Sequence, residues 1–217
     1  MTKESDFNIR KLELKDRAAI RQISYDTALM GESAKLFFDG QEIISDALTL
    51  YFTDYEPESC FVAVVNAAVV GFILGAKSKI VSEKTLKHKI GPDLLWKSIK
   101  SGTWLKKKNI IFMASCLGEI IKGGFHEPSF NQEYPATLHI NVKEGFRGLD
   151  LGSKLMDIYL SYLKAEKIPG VHLATMSDRG ANFFSQQGFA LLYIGKRSYF
   201  RHILHKDVPL YIYGKKL

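Results

Sequence analysis

The chain has 217 residues, 46% of them apolar and 24% charged, and a net charge of +7. That length suits one domain with a sizeable core, or one domain carrying an insertion, and excludes two full domains. The composition excludes wholesale disorder, and Cys60 and Cys116, far apart in sequence, make no disulfide framework, so both read as reduced thiols of a cytoplasmic protein.

The opening MTKESDFNIRK lacks the apolar stretch of a signal peptide. Residues 7–12 alternate as a first strand, and Asp16 is placed to cap a helix with Ala19, Ile20, Ile23, Thr27 and Met30 at helical spacing. A second helix is expected over about 40–51, from Ile43, Ile44, Ala47, Leu48 and Leu50. The uncharged run CFVAVVNAAVVGFILGA, 60–76, approaches the length of a transmembrane helix. Its β-branched residues, with Asn66 and two alanines in the middle, predict a buried β-hairpin instead.

From 77 to about 135 the pattern changes. Ten lysines stand between Lys77 and Lys108 against Glu83 and Asp93, so this stretch carries +8 and the rest of the chain −1. It holds both tryptophans, Trp96 and Trp104, and two or three amphipathic helices, one near 109–121, before the turn-rich loop GGFHEPSFNQEYP. The segment reads as an insertion between a third and a fourth strand.

A regular rhythm follows: strand 136–142, loop, helix 153–166, a turn at Pro169-Gly170, strand 171–176, helix 178–186, a stop at Gly188, and strands near 189–195 and 208–213. Strand-helix-strand units with short connections predict parallel pairing, and the last strands predict antiparallel additions, giving a mixed α/β sheet.

Between the fourth strand and its helix lies GFRGLDLGSKL, 145–155. A tight glycine-containing loop that runs into a helix presents unpaired N–H groups and a positive dipole end to a phosphate. The loop matches neither GxxxxGK[ST] nor GxGxxG. It resembles the acyl-CoA pyrophosphate loop of the GNAT acetyltransferase superfamily, R-x-x-G-x-G/A. Its neighbours carry the resemblance further: LHINVKEGFRG looks like the family's fourth strand, GSKLMDIYLSYLKAEKIPGVHL like its third main helix and fifth strand, and RGANFFSQQGF like the next helix. FNIRKLELKDRAAIRQI and FVAVVNAAVVGFILGA look like its opening strand and helix and its central hairpin. The resemblance covers most of the chain except about 77–135.

It implies an acyl-CoA N-acyltransferase fold: a mixed, mostly antiparallel sheet with a parallel, splayed strand pair, flanked by helices, in a single domain over 1–217 with a basic helical insertion at about 77–135. It implies transfer of an acetyl group from acetyl-CoA to a primary amine of a small-molecule or peptide acceptor, by direct attack and without a metal. Homodimers are frequent in the family. Ile140, Asn141 and Val142 would offer main-chain groups to the pantetheine arm. Arg147, Gly148, Leu149, Asp150, Leu151, Gly152 and Ser153 would wrap the pyrophosphate, and Asn182 would face the cofactor. Gly148 serving only the turn and Leu151 lying in the core are the structural alternatives.

Two residues depart from the family pattern. Asp150 replaces the first signature glycine, and a carboxylate about 5 Å from a phosphate charge would be repelled by roughly 3 kcal/mol at an effective dielectric of 20. The alternative is that Asp150 turns away and caps the helix. Phe184 stands where many members have a tyrosine that protonates the thiolate. Both departures also suit a GNAT-fold binding module without catalysis.

Candidate bases are His139 and His172 on the two splayed strands, with Glu133 and Tyr134 just before the fourth strand, and weaker claims for His126 and Glu127. No metal spacing such as CxxC or HExxH occurs. Four roles are open to the basic segment: a collar for CoA or an acidic acceptor, nucleic-acid binding through lysines and tryptophans, a peripheral membrane contact, or a solvated face whose tryptophans pack on the core.

Overall fold

The computed structural model describes residues 7–217. Strand β1 (Phe7–Lys11) leads into helix α1 (Arg17–Thr27), and α2 (Gln41–Asp54) follows. Asp16 stands at the N-cap of α1 yet makes no side-chain cap bond there. Its carboxylate instead accepts from the Arg10 guanidinium at 2.6 and 2.8 Å, and that partner holds its pKa below the usual carboxylate value.

The run at 60–76 is a hairpin, β2 (Cys60–Val65) and β3 (Ala68–Ala76). Asn66 and Ala67 turn it with φ of 48° and 62°, two consecutive left-handed residues of the kind that match the twist of a two-residue hairpin. Among the described residues no helix is long and apolar enough to cross a membrane. Strands β1, β2, β3 and β4 (Thr137–Val142) form one antiparallel sheet in that order. Strands β5 (Gly170–Thr175), β7 (Val208–Lys216) and β6 (Ala190–Arg197) form a second, also antiparallel. The sheets touch through one parallel bridge, Ala136 to Val171.

Helix α6 (Leu151–Ala165) packs on one face of the first sheet with Leu155, Met156, Tyr159 and Leu163 buried. Its approach needs Gly75, because a side chain there would overlap the Tyr159 ring. The Tyr159 hydroxyl donates to Thr137 O at 2.8 Å, fixing α6 against β4. The other face of that sheet is covered by α1 and α2 through Ile20, Ile23, Phe52, Phe72 and Leu74. Helix α7 (Asp178–Gln186) follows β5.

Between β3 and β4 lie α3 (Lys79–Thr85), α4 (Gly91–Lys100) and α5 (Lys107–Ile121). Polar side chains fasten them to the rest. Lys97 Nζ meets Asp46 at 2.9 Å, and Asn109 donates to Asp39 O at 3.0 Å and Thr103 O at 2.7 Å. Glu119 accepts from the Ser198 main chain at 3.1 Å. The alternative that placed the tryptophans on the core is not met: Trp96 is 59% and Trp104 42% exposed. The buried polar residues Ser98, two positions after Trp96, and Thr103, just before Trp104, take the inward positions instead.

Candidate active site

At the bridge, Ala136 N donates to Gly170 O at 3.2 Å and His172 N donates to Ala136 O at 2.9 Å. Beyond it β4 and β5 share no further pairing. Because strand groups alternate sides with period two, Leu138, Ile140 and Val142 point their main-chain N–H and C=O into the opening wedge, as Ala174 does from β5. On the opposite side Lys143 N donates to Val70 O at 2.7 Å, which fixes that parity. The wedge is part of a cleft of about 680 Å³, lined by β4, β5, the 145–153 loop, α7 and the segment ending α1.

The loop meets α6 at Asp150, whose φ of 58° and ψ of 11° are left-handed. This explains why a glycine suits the position, and why aspartate, which visits this region more readily than most residues, is tolerated. The expected cap is not made: Asp150 occupies the N-cap without a side-chain bond to the helix. The first amides of α6 are therefore open to an anion, with the helix dipole behind them. The Asp150 side chain is exposed and lies on the cleft wall, as do Arg147, Gly148, Gly152 and Ser153. Leu151 is both wall and core, while Leu149 is exposed and outside the lining. Arg147 Nε donates to Val142 O at 3.1 Å, and its Nη atoms reach toward Gly31.

Ser177 caps α7 by accepting from Gly180 N at 3.3 Å. The cleft-facing positions of this helix are Arg179, Gly180, Phe183 and Phe184, whereas Asn182 is exposed on another face and does not line the cleft. Phe183 packs on the start of α6, where a side chain on Gly152 would come within 3.3 Å of its ring. Phe184 is buried against Phe183, Phe189 and Tyr213 and brings no hydroxyl to the wall.

The candidate bases separate. His139 lies on the sheet face covered by α1 and α2, edge-on to Phe52 at 5.3 Å, and opens into the cleft. Its ring is exposed to the cleft and has no hydrogen-bond partner among the described residues, and desolvation, then Lys79, lowers its pKa. His172 is 2% exposed at the bridge itself and does not line the cleft. Its Nδ1 donates to Tyr134 O at 2.5 Å, and burial, then Lys79, lower its pKa. Tyr134 is buried beneath the bridge, and Glu133 is on the surface, paired with Lys216 at 2.9 Å. Neither lines the cleft, and Glu127 is bound by Arg197. Among the described residues no group of three or more His, Cys, Asp and Glu side chains could hold a metal ion.

The wall also contains residues that the motif reading leaves out: Ser24, Thr27, Met30 and Gly31 at the end of α1, and Thr175 and Arg179. Arg179 precedes Phe183 by four residues, so helical spacing from that aromatic carries the signal.

A sheet split by a wedge between parallel strands, with a phosphate-type loop at its edge, defines the GNAT acyl-CoA N-acyltransferase fold, and the chain has it. It superposes along its length on the crystal structure of SsHAT, with a TM-score of 0.71, 19% identity, and 97% of this chain and 98% of that one covered. The polyamine N-acetyltransferase of Drosophila melanogaster, which forms N-acetylagmatine, gives 0.57 at 14% identity over 98% and 100%. The Salmonella typhimurium protein yncA, determined with its cofactor acetyl-CoA, gives 0.57 at 13% identity over 97% and 94%. At these identities the likeness shows the fold alone. No family model matches the sequence, and no curated protein matches it.

Proposed function

We propose that the chain is an acyl-CoA-dependent N-acyltransferase that transfers an acetyl group to a primary amine within a ternary complex. The observation that carries this reading is the wedge between β4 and β5 ending at helix amides that no side chain caps. Bound acetyl-CoA supplies an acyl group activated as a thioester. Leu138, Ile140 and Ala174 offer free main-chain groups to an extended amide-bearing arm. The 147–153 loop and Arg147 hold phosphate, and the wedge keeps bulk water from the reacting carbonyl.

His139 takes the proton that the attacking ammonium must lose. A lowered pKa keeps its imidazole neutral near pH 7, the form that accepts a proton. Phe184 cannot return a proton, so that task falls to water in the cleft. The part of the lining drawn from α1 and its end, α2 and β3 is Ser24, Thr27, Ala28, Met30, Leu48, Phe72 and Leu74, with the Thr27 hydroxyl committed to Ile23 O at 2.7 Å. Among the described residues Asp150 is the one acidic residue of the lining, and it stands at the loop end. An amine on an apolar body fits this chamber better than a polyamine, which needs carboxylates to hold its distal charges.

A second reading, a binding module without turnover, is favoured by the Asp150 carboxylate on the loop wall and by Phe184. Calorimetry with acetyl-CoA, followed by thiol release over a panel of arylalkyl, alkyl and polyamine acceptors, separates the two. Binding with turnover on apolar amines supports the enzyme, and binding without turnover supports the module. No heat and no thermal shift at millimolar acetyl-CoA overturns both.

A further inference from the structure

Helix α5 is inverted for a surface helix. Ile110, Met113, Leu117, Ile120 and Ile121 recur at helical spacing along one stripe, and all are exposed, Ile121 by 77%. Asn109 and Glu119 take the inward side. Their hydrogen bonds to Asp39, Thr103 and Ser198 lock the rotation, so the apolar stripe cannot turn onto the body. Just ahead of α5, Trp96, Ile99, Trp104 and Leu105 are exposed as well. Apolar exposure on this scale marks a surface that something covers.

The charge decides what covers it. Lys84, Lys87, Lys100, Lys106, Lys107 and Lys122 make no ion pair among the described residues, and the only acids in 77–108 are Glu83 and Asp93. A second copy would press lysine against lysine across the stripe. A nucleic acid would match the lysines and leave the leucines and isoleucines in water. An anionic lipid surface matches both, with headgroups neutralising the lysines, the stripe lying in the plane of the interface, and tryptophans at headgroup depth. We propose that the outer face of α4 and α5 docks the protein on anionic membranes, lying on the bilayer and not crossing it. The proposal stands independently of the catalytic reading. On its inner side α5 is held to the body by Phe112, which packs at 4.8 Å on Phe37.

The chain has two tryptophans, both exposed in the segment just ahead of α5, so intrinsic fluorescence reports on this region directly. The purified protein is mixed with vesicles of phosphatidylcholine alone or with phosphatidylglycerol added. The expected result is a blue shift and co-sedimentation with the anionic vesicles only, weakened by salt. Leu117→Glu with Ile121→Glu, and separately Lys106→Glu with Lys107→Glu, should each lower partitioning at least tenfold while leaving the circular dichroism and melting temperature unchanged. Absence of shift and sedimentation with anionic vesicles overturns the proposal. So does a stable dimer whose tryptophans are already shifted and ignore vesicles, or RNA binding that quenches them when vesicles do not.

Discussion

Arg147 and Arg179 reach the same point from different elements: a methyl group added to Gly31 would lie 3.6 Å from Nη2 of the first and 3.1 Å from Nη2 of the second. Gly31 has φ of 104°, so the backbone there already excludes most side chains, and the glycine leaves the space both guanidiniums use. Neither arginine forms an ion pair among the described residues. Two unpaired guanidiniums this close repel each other, and an anion placed between them relieves that cost.

Arg147→Gln and Arg179→Gln should each weaken acetyl-CoA binding by about tenfold, the size expected for one hydrogen bond to a charged group. The double variant should lose less than the sum, because both act on one anion. Calorimetry of the four proteins reads this directly. Unchanged affinity in Arg179→Gln would assign Arg179 to the protein surface and leave the loop to Arg147.

Asp150 bears on the same anion from the other sign. With no cap bond and an exposed carboxylate, its repulsion of a bound phosphate is screened to about 1 kcal/mol, below the figure for a desolvated pair. Asp150→Gly should therefore tighten acetyl-CoA binding roughly five- to tenfold. It should also raise stability by about 0.5 kcal/mol, because glycine adopts the left-handed conformation without strain. An affinity that falls would show the carboxylate serving the ligand.

His139→Gln should reduce kcat by about 10²–10⁴ with acetyl-CoA affinity unchanged, the range of a lost general base. The group must be neutral to act, and its pKa lies below the usual 6.5. The acid limb of the wild-type rate should therefore have its midpoint below pH 6.5. A His139→Gln rate that keeps this acid limb would place the base elsewhere.

The sequence shows the hairpin, the loop and the order of elements because each has a local cause: β-branched runs, a glycine-bearing turn before a helix, short connections. What it hides depends on partners distant in the chain. Asn182 looks cofactor-facing from its motif, yet the phase of α7 is set by Phe183 and Phe184 packing, which turns Arg179 inward instead. His139 and His172 look like a pair, but the strands meet only at Ala136 and Val171, so one ring enters the cleft and the other is sealed beneath it. The stripe on α5 is visible as a periodicity. Which side of it faces the protein is fixed by Asn109 and Glu119 finding partners 70 or more residues away.

His172 also makes the fold sensitive to acid. Its Nδ1 proton is committed to Tyr134 O, and protonating the ring would place a charge in a buried site facing Lys79. The folded-state pKa lies below the 6.5 of the unfolded chain, so the unfolded state takes up the proton first as pH falls. Stability is therefore full above 6.5 and declines below it until the folded pKa is reached, with His139 adding to the same slope. Asp16 acts in a separate window: its pKa is lowered from 3.8 by Arg10, so its contribution survives to about that pH and is lost only below it. Urea unfolding at pH 8, 6.5 and 5 should show little change over the first step and a loss over the second. His172→Asn, which keeps an N–H for Tyr134 O and cannot titrate, should start about 1 kcal/mol lower and lose less over that second step. An identical slope in the variant would assign the acid sensitivity to His139 and the surface groups instead.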